Sequence, residues 1–109
     1  MNFLDETIQA LVENGKKEED IAFVCSFPYI TSWDDFKRNA NFNYDNGFGC
    51  TEIRADLKIV GDNWYLRREE YDGSEWWEFE SVPRSIDFPS TAAPHQIKEM
   101  ILYKRYIKC

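Results

Sequence analysis

The sequence predicts an α+β domain, and three observations carry that expectation. Residues 57–80, LKIVGDNWYLRREEYDGSEWWEFE, contain three strand-like runs separated by two turn signals and hold three of the four tryptophans. Residues 4–14 repeat apolar side chains at helical spacing, and Pro94 stands where a last helix would begin. A length of 109 residues suits one domain with a modest core, and 43% hydrophobic content argues against disorder even with 30% charged residues. The expected architecture is a small single domain over 1–109. A three-stranded antiparallel meander over about 57–80, plus a further strand, is packed by N-terminal and C-terminal helices on one face.

Each element has its own signal. Leu4, Ile8, Leu11 and Val12 mark a first helix, which Gly15 ends as a C-cap. The run IAFVCS over 21–26 reads as a buried strand that Pro28 breaks. Thr31-Ser32 then offers a hydroxyl cap for a helix with Asp34 and Asp35 near its positive end and Trp33 and Phe36 as anchors, ending near Ala40. Residues 1–40 are thus helix, strand, helix, and 41–52 are loop. The meander occupies 53–82, and a patchy stripe of Ile97, Met100 and Ile101 supports a helix over 94–107.

The meander can be read to the level of register. Asp72-Gly73 between aromatic runs signals a tight hairpin, because glycine tolerates the positive φ such a turn requires. A two-residue loop sets Leu66 opposite Phe79, Arg68 opposite Trp77, Glu69 opposite Trp76 and Arg67 opposite Glu78. With a side-chain period of two, Trp64, Leu66, Trp77 and Phe79 share one face and read as core. Tyr65, Arg67, Tyr71, Trp76 and Glu78 share the other.

Charge and cysteine usage narrow the function. The net charge of −7 divides into +3 over 94–109 (Lys98, Lys104, Arg105 and Lys108 against Glu99) and hence −10 over 1–93. An acidic body disfavours direct DNA binding, since affinity for nucleic acid comes largely from lysine and arginine. It suits docking on a basic groove of another protein. No stretch has the length of a membrane span and the start lacks a signal peptide's pattern, so no membrane association is expected and the cytoplasm is the default. Cys25, Cys50 and Cys109, an odd count without C-x-x-C spacing, fit free thiols in a reducing compartment.

No cofactor, metal or catalytic set is expected. His95 is the single histidine and sits beside Pro94, away from any cysteine motif. The loop over 41–52 places Asn41, Asn43, Asp45 and Glu52 at calcium-loop positions, but Asn46 replaces the glycine at position 6 and a strand follows. Gly47-Phe48-Gly49 lacks the spacing of a phosphate-binding loop. What remains is the aromatic and arginine set of the meander. Tyr65, Tyr71 or Trp76 could stack a base, while Arg67 or Arg68 met a phosphate. Arg67 opposite Glu78 also reads as a simple cross-strand ion pair, and exposed aromatics would equally serve a homo-oligomer contact.

The elements YDNGFG (44–49), VGDNWYLRR (60–68) and EYDGSEWWEF (70–79) resemble those of short phage and prophage proteins. The resemblance implies a phage-encoded protein acting in the cytoplasm of an infected bacterial host, without catalytic residues to transfer. It implies a non-enzymatic anti-defence role, first by sequestering a small nucleotide immune signal at the aromatic and arginine set. The alternatives are an anti-CRISPR or similar inhibitor that binds a host defence protein through its acidic surface, and a phage accessory or structural protein.

Overall fold

Positive φ at both Asp72 (51°) and Gly73 (87°) closes the tight turn that joins β4 (Trp64–Tyr71) to β5 (Ser74–Glu80). Leu66 pairs with Phe79, Arg67 with Glu78, Arg68 with Trp77 and Glu69 with Trp76, the register the sequence predicts. The computed structural model describes residues 1–45, 51–81 and 90–102, with the backbone alone at Ser90. The meander is completed by β3 (Lys58–Gly61), antiparallel to β4. Beyond β3 the sheet continues through β1 (Ile21–Ser26), β2 (Tyr29–Thr31) and the two-residue β6 (Ser90–Thr91), in the order β5-β4-β3-β1-β2-β6. All pairings are antiparallel except β2 with β6.

The helices α1 (Phe3–Glu13), α2 (Trp33–Ala40) and α3 (Ile97–Ile101) share one apolar cluster with the first sheet face. Phe3, Leu11, Phe36 and Ile101 meet Val24, Ile59, Leu66 and Trp77 there. The four meander residues expected in the core all belong to this cluster, Phe79 at its margin. The opposite sheet face holds a smaller cluster of Cys25, Val60 and Tyr65 with Phe23 and Ile30, to which none of the three helices contributes. The fold class is therefore α+β with helices on one face of a mainly antiparallel sheet. None of the described helices is long and apolar enough to cross a membrane.

Local chemistry explains the helix boundaries. Ser32 Oγ accepts the Asp35 N–H at 3.1 Å, the hydroxyl cap read in the sequence. Asn2, which the sequence reading passed over, caps α1 by accepting the Asp5 N–H at 2.9 Å, so that helix begins at Phe3. The buried row of this helix is Phe3, Thr7, Ala10 and Leu11, which leaves Val12 63% exposed instead of in the core. Gly15, with φ of 71°, follows the C-cap Asn14.

Three further expectations are corrected. The predicted helix over 94–107 is a 3-10 turn (Pro94–Gln96) followed by α3, which ends at Ile101. Leu102 turns extended and bridges to Ile53, and the Arg54 N–H takes the Ile101 carbonyl at 2.7 Å, so pairing outcompetes another helical turn. Residues 103–107 lie outside the described part. Pro28 does not merely stop a strand: it stands in a turn, after a cis peptide bond, that folds β2 back on β1. The strand pairing over 53–57 is limited to that Ile53 bridge, and regular β3 begins at Lys58.

Candidate functional site

The five residues singled out in the meander do not form one site. Tyr65 is buried in the second-face cluster with Cys25 and Val60. Tyr71 is 76% exposed and stands beside the hairpin turn, at the end of β4 remote from Tyr65. Arg67 lies on the second face as predicted, but its Nε donates to Glu80 at 2.9 Å and its Nη1 to Glu69 at 2.8 Å. These carboxylates, Glu69 before Glu80, raise its pKa further above the ordinary guanidinium value. The expected partner Glu78 is opposite in register yet accepts the Trp76 indole N–H at 2.5 Å, which leaves Arg67 to reach along and across the strands.

Arg68 sits on the core face. Its register partner is Trp77, so alternation alone already places it there, and its side chain is only 2% exposed. Nη1 donates to Glu6 at 3.3 Å, and Nη2 to Tyr44 Oη at 3.1 Å and to Glu75 at 3.3 Å. The guanidinium lies 4.8 Å from the Trp77 ring centroid and 5.3 Å from that of Phe3. Glu75 also accepts the Glu52 and Ile53 backbone N–H groups at 2.8 and 3.0 Å, and Tyr44 donates to Glu6. Burial, with the Glu6 hydrogen bond second, pushes the Tyr44 phenol well above its ordinary pKa, so it stays a donor. Arg68 is therefore the hub of a buried clamp that joins α1, β4 and β5 with Tyr44 and, through Glu75, with the backbone of Glu52 and Ile53.

The arginines share a pattern. Among the described residues Arg38 pairs with Asp35, Arg54 with Asp56, Arg67 with Glu69 and Glu80, and Arg68 with Glu6 and Glu75. Every described arginine is thus already answered by a carboxylate.

A concave surface lies beside the clamp, between α1 and β5. This groove of about 370 Å³ takes Asp5, Glu6, Gln9 and Glu13 from the helix and Trp76 and Trp77 from the strand. Asp5, Gln9 and Glu13, spaced by four, form one exposed row along α1. The lining takes both Trp76 and Trp77, neighbours whose side chains point to opposite sheet faces. β5 is the outermost strand, without a neighbour beyond it among the described residues. The helix wall is fixed: the Trp77 indole donates to Thr7 Oγ1 at 2.9 Å, and Thr7 Oγ1 donates to the Phe3 carbonyl at 2.8 Å. The result is an acidic groove with an indole floor.

Sequence reasoning missed this groove. Trp76 and the Asp5-Gln9-Glu13 row were both visible, but their meeting depends on which helix packs against which strand. The other chemistry-bearing residues stand apart from the groove. His95 is exposed in the turn before α3, and Cys25 is buried on the second face, where loss of solvent pushes its thiol pKa up to about 12. Asn46, Cys50, Cys109 and the basic residues Lys104, Arg105 and Lys108 lie outside the described residues. Comparison with known proteins finds no matching family model, curated protein or solved structure.

Proposed function

We propose that this chain is a non-enzymatic, phage-encoded anti-defence protein that inhibits a bacterial defence protein by binding a basic surface on it. The observation that carries the reading is the pairing of each described arginine with a carboxylate, beside a groove whose exposed Asp5 and Glu13 have no cationic partner among the described residues. Sequestering a nucleotide signal needs a cation free to meet phosphate. Of the two arginines read as phosphate contacts, Arg67 is held by two carboxylates and Arg68 is buried, which favours acidic docking over nucleotide capture at that set. The phage and anti-defence setting rests on the resemblance of the YDNGFG, VGDNWYLRR and EYDGSEWWEF elements.

Coexpression with a panel of bacterial defence systems under phage challenge tests the reading. Plaque formation should recover against one system, through a direct complex with one of its proteins that weakens steeply as salt rises. Incubation with cyclic dinucleotides or ADP-ribose-type signals should leave them free. A thermal shift equivalent to about 2.7 kcal/mol at a hundredfold excess over the dissociation constant would instead favour nucleotide capture. Full protection by every defence system in the presence of the protein would remove the anti-defence reading.

A further inference from the structure

We infer that the groove between α1 and β5 is a slot for an extended, basic segment of a partner protein, which adds as a strand along the outer edge of β5, an edge with no neighbour among the described residues. The inference deepens the proposed function by naming how the partner is held, and its chemistry is argued from the groove itself.

Three features converge on this occupant. An edge strand presents unpaired backbone N–H and C=O groups, which an extended peptide can satisfy by strand addition. Here the groove between that strand and α1 takes in both Trp76 and Trp77. The opposite wall is α1, whose 11 residues run about 16 Å, long enough to face about five residues of extended chain. Charge then selects the side chains. Asp5 and Glu13 are exposed on that wall, while Glu6 is occupied by Arg68 and Tyr44. Lysine or arginine placed beside these carboxylates gains ion pairing. An acidic segment would meet only like charge there.

A capped five-residue peptide alternating arginine and valine is the probe, followed by amide NMR and tryptophan fluorescence. We expect shifts confined to α1 and β5, with slowed hydrogen exchange on the outer amides of β5. The double variant Gln9→Lys, Glu13→Lys should weaken binding by about tenfold or more, since both side chains are exposed and the new charges repel the peptide. N-methylation of alternate peptide nitrogens should weaken it comparably, because strand addition uses those donors. Equal binding of a glutamate-valine peptide, or indifference to N-methylation, would overturn the inference, as would an unperturbed spectrum at millimolar peptide. Trp76→Ala supplies a second variant should the charge reversal disturb α1, and circular dichroism checks both. The outcomes separate from those of the proposed function. Peptide binding without relief of any defence system keeps the slot and removes the anti-defence reading, whereas relief that survives Gln9→Lys, Glu13→Lys removes the slot and keeps the reading.

Discussion

At the scale of single residues, Arg68 shows how a polar side chain becomes structural. Its guanidinium is almost fully buried between Glu6, Glu75 and Tyr44, with the Trp77 ring against it. Removing one member of a buried ion pair leaves the other charge without solvent or partner, which costs far more than the intact pair contributes. Arg68→Ala should therefore destabilise the fold by about 3–5 kcal/mol in urea unfolding. Arg67→Ala, on a partly exposed pair, should cost less than about 1 kcal/mol. Equal losses for the two would contradict the clamp. The difference between these neighbours was legible in part: the hairpin register sets Arg68 opposite Trp77 and thus on the core face, while its charge pointed the other way. Its partner Glu6 could not be read at all, because 62 positions separate the two.

Among the elements, the β4–β5 hairpin was the most legible because two independent signals agree on it. Asp72-Gly73 fixes the turn and the alternation of Trp64, Leu66, Trp77 and Phe79 fixes the register, so a slip by one residue would expose the core face. Gly73 has φ of 87°, a left-handed conformation that a Cβ disfavours. Gly73→Ala should cost about 1–2 kcal/mol in thermal or urea unfolding while Asp72→Asn stays near neutral, since asparagine tolerates the left-handed region. Elements whose limits depend on distant partners were less legible. The last helix carries a patchy apolar stripe through Ile101, and it yields at Leu102 to the bridge with Ile53. β2 follows Pro28, a residue that argues against continuing a strand but says nothing of a return strand. Lys98 donates to the Asn39 carbonyl at 2.6 Å near the C-terminus of α2.

For the molecule as a whole, buried acids in the clusters on both sheet faces lower stability at high pH. Cys25 has no exposed surface and its thiol pKa is raised from 9.0 to about 12, because burial disfavours the thiolate. The unfolded chain releases that proton from about pH 9 upward while the folded chain keeps it. Unfolding is therefore increasingly favoured as pH rises between the two values, and stability is flat with respect to this group below pH 9. Tyr44 acts in the same direction at still higher pH. Stability should fall by about 1 kcal/mol between pH 8 and pH 10 through Cys25. Comparing urea midpoints with Cys25→Ala, which lacks the titration, isolates that loss; parallel pH profiles for the two proteins would refute it. The overall layering, helices on one face of a mainly antiparallel sheet, was legible from composition and pattern. The groove was not, because it belongs to neither element alone.

The Arg68 clamp has a consequence for time as well as stability. It pins α1 to β4 and β5, and the Trp77–Thr7 hydrogen bond adds a second tether on the same wall. A slot with both walls held in advance needs little reordering to admit a strand, so capture is limited by collision and orientation rather than by opening. Among the described residues it also has no element to shut behind its occupant. The lifetime of a complex would then be set by how fast the strand peels from the edge of β5, and a partner with a longer matching segment would differ mainly in how slowly it leaves.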